Sequence, residues 1–200
     1  GVAPHAGAID EHGLAFEDGQ VIFPEELNAI FEKIKALELH GMCIPRELGG
    51  MNCPLLLYMV NTELFARADV SVAAHHGFHG GMAMAALVYS INEGSFSFDQ
   101  ETLTLGETRF DDAIAEIAAG DAWGSMDITE PDAGSDMAAI RTTAFRDGDH
   151  YVVNGQKTWC SRAVWADWIF CIFRTDPDSE RHRGLSFMLV PLDAEGVQVR

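Results

Sequence analysis

The sequence predicts an α+β fold in which an N-terminal all-α helical domain precedes an antiparallel β domain. Two observations lead to this prediction. Apolar residues recur at helical spacing up to about residue 122, and apolar and polar residues alternate after that point. Turn pairs containing glycine also separate the runs of the second half, as expected of strands. The sequence contains no internal repeat.

The first half contains four predicted helices. Pro24 is placed at the N1 position of the first helix, and Gly41 ends it. The apolar residues of this helix recur at helical spacing: Leu27, Ile30, Phe31, Ile34 and Leu37. Pro54 opens a second helix, a third that is rich in Gly and Ala covers about residues 70–90, and a short fourth ends at Gly120. Small side chains in the third helix would let another helix approach closely or would leave room for a ligand.

The second half contains predicted strands and turns. The pairs Asp147-Gly148 and Asn154-Gly155 predict two hairpin turns on either side of a short strand over residues 150–153. Further strands are predicted over residues 166–174 and 184–192. The polar segment 94–107, between the two halves, is predicted to be a surface loop or a lid.

Composition narrows the class of protein. A hydrophobic content of 48% and a charged content of 22% are typical of a globular protein. No apolar run of about 20 residues occurs, so no transmembrane helix is predicted. The net charge of −18 argues against nucleic acid and anionic membranes as partners. The four cysteines form no Cys-x-x-Cys pair, which argues against a zinc ribbon and fits a reducing compartment: the cytoplasm, or the mitochondrial matrix in a eukaryote.

Two segments of the second half carry the predicted chemistry. The first runs as a strand into Thr129-Glu130-Pro131-Asp-Ala-Gly134-Ser135-Asp136, a turn that directs backbone N–H groups and hydroxyls towards an acceptor-rich ligand. The second, Asn154-Gly-Gln-Lys-Thr-Trp159, is interpreted as a hairpin that ends on an aromatic residue able to cover a flat ring. No Gly-x-Gly-x-x-Gly and no P-loop motif is present, so neither a Rossmann site nor a P-loop is predicted.

Taken together, these two segments resemble the flavin-binding segments of acyl-CoA dehydrogenases. The segments Gly41–Gly50, Ala166–Phe170 and Arg174–Pro177 resemble other parts of that family in the same order, so the resemblance covers about residues 21–200. It implies a barrel-like middle domain and FAD as the cofactor. The implied domains are an N-terminal extension (1–20), a helical domain (21–122) and an incomplete β domain (123–200), with a C-terminal helical domain outside this chain.

The resemblance also implies the site residues. Those expected to bind the cofactor are Met126, Asp127, Ile128, Thr129, Gly134, Ser135, Trp159, Cys160 and Ser161. Ser135 would also contact the substrate, and Cys160 replaces the isoleucine that the family usually carries after its tryptophan. The catalytic glutamate of the family is expected after Arg200, so no catalytic residue is assigned within the chain.

Two further groups of residues have competing interpretations. Glu130 is a candidate general base. However, a glutamate that precedes a proline in a turn more often has a structural role. His75, His76 and His79 could bind a metal, but they lie in a Gly/Ala-rich helix without carboxylate neighbours in sequence. We therefore expect them to pack or to line an active site, and no metal site is predicted. Glu11, Glu17 and Asp18 are predicted to be surface charges.

The function implied is that of a flavin-dependent acyl-CoA dehydrogenase. Such an enzyme removes the α-proton of an acyl-CoA and transfers the β-hydride to FAD, which yields the trans-2-enoyl-CoA. An electron-transfer flavoprotein would then accept the electrons, and the protein would form a homodimer or homotetramer. The alternatives are an acyl-CoA oxidase, a flavin monooxygenase on the same scaffold, or a catalytically silent subunit that binds acyl-CoA or a partner.

Overall fold

The structure, a computed structural model, describes residues 1–17 and 20–199 and consists of two compact units, Gly1–Trp123 and Gly124–Arg200. Asp18, one of the predicted surface charges, lies outside the described residues. A helical region followed by a sheet-containing region confirms the predicted fold class. Within the described residues, no helix combines the length and apolar character that a membrane crossing requires.

The first unit is built mainly from helices. Its described residues form α1 (Ala6–His12), α2 (Glu25–Ala36), α3 (Leu55–Ala68), α4 (Val70–Glu93) and α5 (Asp111–Ala119). Two short antiparallel hairpins accompany them: β1 (Ala15–Glu17) with β2 (Gln20–Ile22), and β3 (Phe96–Asp99) with β4 (Thr104–Thr108). All four predicted helices are therefore present.

Helix α2 supplies four of the seven buried residues of a hydrophobic cluster in the first unit. Its apolar stripe packs with Val72 and with two residues from the first twelve, Val2 and Ile9; the stripe residues are Leu27, Ile30, Phe31 and Ile34. Burial of each such side chain contributes about 1.5–3 kcal/mol. The helix begins one residue later than predicted, because Pro24 is extended and lies at the N-cap. It also ends at Ala36, so Leu37 lies outside the stripe and is exposed.

Helices α3 and α4 pack closely where α4 carries small residues. A Cβ atom at Gly80 would lie only 2.9 Å from the Tyr58 ring of α3. The prediction that small side chains allow close helix packing is therefore confirmed at this position. The Asp69 carboxylate caps α4 by accepting the N–H of Val72 at 3.0 Å, and Gly94 ends the helix at a φ of 75°.

The segment 94–107 contains a hairpin rather than the predicted loop. Phe96 pairs with Thr108 and Asp99 with Thr104 across two antiparallel strands. The Asp99 carboxylate closes the turn by accepting the N–H groups of Glu101 at 2.8 Å and Thr102 at 3.1 Å. The polar composition concealed these strands because the hairpin is mostly exposed and needs few apolar residues.

The described residues of the second unit form one five-stranded sheet. Its strands are β5 (Gly124–Asp127), β6 (Thr143–Asp147), β7 (His150–Asn154), β8 (Trp168–Arg174) and β9 (Leu185–Pro191). The described strands are paired in the order β5-β8-β6-β7, with β9 also paired to β8. Strand β8 alternates between buried and half-buried positions, and its inward residues Ile169, Cys171 and Phe173 form a core with Ala144.

The sheet is mixed rather than purely antiparallel. Strands β6 and β7, and β8 and β9, pair antiparallel, whereas β5 runs parallel to β8 with Gly124 opposite Trp168 and Asp127 opposite Cys171. The alternation of residues in a strand reports which side is buried and does not report the direction of its neighbour. Strand direction was therefore not predictable from the pattern.

Only the first of the two predicted hairpins in this unit is confirmed. Asp147 pairs with His150 around Gly148, as a two-residue turn requires. The second prediction is wrong, because in the described part of the chain β7 pairs with β6 alone and residues 155–160 form no strand. Gly155 instead allows a close crossing: its φ is +149°, and a Cβ atom there would lie 2.6 Å from Cγ2 of Thr142.

We expect Gly155→Ala to destabilise the β unit much more than Gly148→Ala. The added Cβ at position 155 meets both a strained φ and the Thr142 side chain, so the free energy of unfolding should fall by roughly 3 kcal/mol. Gly148 has a φ of +64° but no atom within 4 Å of an added Cβ, so its loss should be about 1 kcal/mol. Denaturant unfolding measures both, and equal losses would show that the crossing is not tight.

Candidate functional site

The two motif segments of the β unit meet at the end of strand β5. The N–H of Thr158 donates to the carbonyl oxygen of Thr129 at 2.8 Å, although the two residues are far apart in sequence. Beyond Thr129 the chain turns sharply, with reciprocal backbone hydrogen bonds between Glu130 and Ala133 at 2.9 and 3.2 Å. The structure therefore brings the predicted residues 126–129 next to the predicted residues 159–161.

Glu130 is the anchor of this turn. One carboxylate oxygen, Oε2, accepts the N–H of Arg141 at 2.7 Å. The other, Oε1, accepts the N–H of Thr142 at 2.9 Å, the Thr142 hydroxyl, and the Lys157 ammonium at 2.8 Å. These bonds occupy both oxygens of a side chain that is only 6% exposed. Glu130 therefore has the structural role that its place before a proline indicates, and it is not available as a general base.

Lys157 extends this anchor to the neighbouring strand. Besides Glu130, its ammonium donates to the carbonyl oxygens of Ile172 at 2.7 Å and Ile128 at 3.2 Å. Its side chain is 8% exposed, so the charge is satisfied almost entirely by protein atoms. One lysine thus ties the end of β5, the turn after it and strand β8 together. Lys157 belongs to the second predicted motif segment, but its pairing with Glu130 was not predictable from the sequence pattern.

A second buried polar network lies on the inward side of β5. The Ser125 hydroxyl is within hydrogen-bonding distance of Oδ1 of Asp127 at 2.5 Å and of the Ser161 carbonyl oxygen at 2.8 Å. Ser125 is fully buried and Asp127 is 4% exposed. The Asp127 side chain therefore belongs to the interior, and only its backbone remains a candidate for cofactor contact. Ser125 was missed, although its spacing of two from Asp127 places both on the same face of a strand.

Cys160 takes part in this buried network and has no features of a reactive thiol. Burial, together with the nearby Asp127 carboxyl, raises the pKa of the Cys160 thiol to about 12. Burial also raises the pKa of Asp127. A thiol with such a pKa stays protonated at neutral pH and is a poor nucleophile.

The outward side of the same segments is open to solvent. Trp159 is 85% exposed and has a left-handed backbone with a φ of 59°, which is costly for a bulky residue. Met126 is 43% exposed, whereas Ile128 and Thr129 are half-buried. Ser161 is exposed as well. Trp159 therefore has a costly backbone conformation without the compensation of burial, and its role in ligand binding stays a prediction.

Gly134 and Ser135 lie on the exposed part of the turn that Glu130 anchors. A Cβ atom added at Gly134 would meet no described atom within 4 Å, so the turn has open space beside it. The structure thus places these two residues on the surface next to the anchored base of the turn. Their proposed contacts with a cofactor or substrate stay predictions.

Two family models match the chain. The model described as acyl-CoA dehydrogenase, N-terminal domain, matches residues 1–93, and the model described as acyl-CoA dehydrogenase, middle domain, matches residues 125–200. The hairpin of β3 and β4 and helix α5 lie between the two matches. Each motif segment of the candidate site lies within the second match.

Curated relatives agree with these matches. Acyl-CoA dehydrogenase IpdE1 of Mycobacterium tuberculosis is 36% identical over 176 residues, which are 88% of this chain and 42% of that protein. Acyl-CoA dehydrogenase FadE29 of the same organism is 51% identical over 150 residues, which are 75% of this chain and 34% of that protein. The chain therefore spans less than half the length of these relatives.

Solved structures agree at the level of the fold. An acyl-CoA dehydrogenase from Geobacillus kaustophilus matches with a TM-score of 0.72 and 27% identity, covering 98% of this chain and 45% of that one. The ChsE4-ChsE5 complex from M. tuberculosis matches with a TM-score of 0.62 and 31% identity, covering 86% of this chain and 43% of that one.

The Glu130 anchor predicts a specific pH dependence of stability. Burial alone would raise the pKa of this carboxyl, but the hydrogen bonds from Lys157, Thr142 and the Arg141 N–H outweigh it and lower the pKa to about 2 from 4.5. A depressed pKa contributes stability that is complete above the unfolded value and is lost as the pH falls towards the folded value. The contribution, roughly 3 kcal/mol at about 1.4 kcal/mol per pKa unit, should disappear between about pH 4.5 and 2.

Denaturant unfolding at a series of pH values tests this expectation with Glu130→Gln. The variant should be less stable at neutral pH, because the Lys157 ammonium loses its counter-charge, and its stability should fall less steeply below pH 4.5. Glu63→Gln, at an exposed position of α3, is the control and should retain the wild-type profile. Parallel curves for wild type and Glu130→Gln below pH 4.5 would contradict the assignment.

Proposed function

Because the chain belongs to the acyl-CoA dehydrogenase family, which depends on FAD, we propose that this protein is a flavin-dependent acyl-CoA dehydrogenase. The proposed reaction oxidises an acyl-CoA to the trans-2-enoyl-CoA. One observation supports it most directly: Trp159, exposed and held in a left-handed backbone, lies one residue after the hydrogen bond that joins the two motif segments.

The residues on the outward side of the site have the chemistry that a flavin requires. An isoalloxazine ring is flat and carries several acceptor oxygens, so it needs an aromatic cover and N–H or O–H donors. Trp159 offers the cover, and the hydroxyls of Thr129 and Ser161 offer donors. The exposed turn at Gly134 and Ser135 leaves room for a phosphate-bearing arm. We assign FAD binding to these residues together with Met126, Ile128 and the backbone of Asp127 and Cys160.

In the proposed reaction the residues of this chain bind and orient. Bound FAD supplies the acceptor for the hydride that leaves the β-carbon. Donors at the end of β5 and around Ser161 would stabilise the electron density that develops on the ring. Ser135 would contact the thioester region of the substrate.

We place the acceptor of the α-proton downstream of Arg200, on a glutamate. Glu130 is the buried carboxylate of the turn, and its two oxygens already accept four hydrogen bonds, so it does not serve as this acceptor.

Exposed apolar surface supports a proposal that further protein covers the helical unit. None of the residues of helix α3, all of which the structure describes, is buried, and Leu55, Leu56 and Leu64 are 57%, 72% and 59% exposed. Monomeric proteins rarely leave such a face uncovered. We propose that other segments or subunits of a homodimer or homotetramer cover this face of α3. As a separate proposal, an electron-transfer flavoprotein is the redox partner.

We expect Trp159→Ala to weaken FAD binding without unfolding the protein. The side chain is almost fully exposed, so its removal costs little core packing. Loss of an aromatic stacking partner should lower the affinity for FAD by about tenfold. Fluorescence titration of the apoprotein with FAD measures this, with Tyr151→Ala, an aromatic on β7 that is 50% exposed, as the control. Wild-type affinity in Trp159→Ala would remove Trp159 from the site.

The function itself is tested by visible absorption of the natural-length protein under anaerobic conditions. We expect a flavin spectrum that bleaches when an acyl-CoA substrate is added, because the hydride reduces the ring. A flavoprotein that no acyl-CoA reduces would favour a monooxygenase or a silent subunit, and rapid reoxidation by oxygen after bleaching would favour an oxidase. A protein that binds no flavin would overturn the proposal.

A further inference from the structure

Three histidines of the helical unit form a buried cluster that has no part in the proposed flavin chemistry. His75 and His79 lie four residues apart on α4, and His40 lies on the 3-10 helix Leu39–Gly41. Each is at most 2% exposed. One ring nitrogen from each of them lies within 4.8 Å of the other two. Such a convergence of imidazoles from two elements is the arrangement that binds transition metals.

The spacing of the rings fits a single cation. The ring centroid of His79 lies 4.5 Å from that of His40 and 4.5 Å from that of His75. The centroids of His40 and His75 are 5.2 Å apart. When three imidazoles bind the same tetrahedral Zn²⁺, with zinc–nitrogen distances of about 2.0–2.1 Å, their ring centroids lie roughly 5 Å apart. The centroid distances among the three rings are therefore close to those of three imidazoles that share one Zn²⁺.

A hydrogen bond to the backbone already orients one of the proposed ligands, His79. Nδ1 of His79 lies 3.2 Å from the carbonyl oxygen of His75, and this ring nitrogen must be the donor because a carbonyl only accepts. The ring nitrogen of His79 that can bind a metal is then Nε2. Metal-binding histidines commonly use their other nitrogen in this way to hold the ring and its tautomer.

The surrounding residues hold the rings in place. The Phe31 ring stacks on His75 at 3.9 Å, and the Trp123 ring lies 4.4 Å from His75 and 5.6 Å from His79. Gly120 leaves the space that His40 needs, since a Cβ atom there would lie 2.5 Å from Cδ2 of His40. This cluster is thus confined by packing on several sides, which is how a metal site is held in a fixed geometry.

The ligand chemistry selects the class of cation. Among the described residues the group consists of three imidazoles and includes no carboxylate. Mg²⁺ and Ca²⁺ prefer oxygen ligands, whereas imidazole suits Zn²⁺ and its first-row neighbours. We propose that His40, His75 and His79 bind one Zn²⁺-type cation, which would cross-link the 3-10 helix to α4 independently of the flavin.

His76 distinguishes this cluster from the set suggested by the sequence. Its Nε2 lies 3.1 Å from the Asn61 amide nitrogen, and its ring lies 5.0 Å from that of Tyr58 and 5.1 Å from that of Phe65. These contacts are with α3, although the His76 ring also lies 6.5 Å from that of His40. His76 therefore supplies a matched control, a histidine of the same helix that is equally buried but lies outside the cluster.

The test uses the natural-length protein without a histidine tag, stripped with a chelator and then titrated. Co²⁺ reports a tetrahedral nitrogen site through its visible absorption, and competition with a zinc dye gives the Zn²⁺ affinity. We expect one equivalent to bind to the wild type and to His76→Gln. His40→Gln and His79→Gln should bind Zn²⁺ more than about 100-fold more weakly than the wild type. That loss is larger than the one expected when a residue that only supports a metal ligand is removed.

Two further measurements keep the proposal falsifiable if a variant is unstable. His40→Cys replaces one zinc ligand with another and should recover binding that His40→Gln loses. Zn²⁺ should raise the unfolding temperature of the wild type and of His76→Gln but not that of His40→Gln. The exposed histidines are present in every variant and would bind a metal equally in each. Equal binding by all variants would therefore overturn the proposal, and so would the absence of stoichiometric binding by the wild type.

Discussion

The buried ion pair between Glu130 and Lys157 is the interaction on which the functional surface of the β unit depends. Burying two charges is costly unless every oxygen and proton finds a partner, and removing one partner alone is strongly destabilising. Here the carboxylate accepts from Arg141, Thr142 and Lys157, and the ammonium also donates to two carbonyl oxygens. The end of β5, the turn after it and the segment before Trp159 are therefore held as one rigid piece.

That rigid base explains how Trp159 keeps its unusual conformation. A bulky residue at positive φ is disfavoured by about 1–2 kcal/mol, and an indole in water gains nothing from burial. The Thr158–Thr129 hydrogen bond and the Ser125–Ser161 contact fix the chain on either side of Trp159, so the segment cannot relax. Stability is concentrated on the inward side of the segments, and the outward side is left available for a ligand.

Much of the fold could be predicted because periodicity reports burial. The stripe of Leu27, Ile30 and Phe31 predicted α2, and the strand pattern over residues 166–174 predicted β8, since in each case one side of the element faces the core. The same reasoning failed at Gly155, where a glycine typical of a turn serves a close crossing over Thr142 instead. It also failed for the hairpin of β3 and β4, because an exposed hairpin has little apolar pattern to detect.

The sequence by itself determined helices α2 to α5, most strands of the β unit, the two motif segments and the family resemblance, because each depends on residues that are near one another in the chain. Tertiary structure alone decided which distant residues meet. Glu130 pairs with Lys157 across 27 positions, β5 runs parallel to β8, and His40 rather than His76 joins His75 and His79. Local sequence patterns identify the buried side of a helix or strand. Which other element that side contacts depends on the path of the chain between the elements.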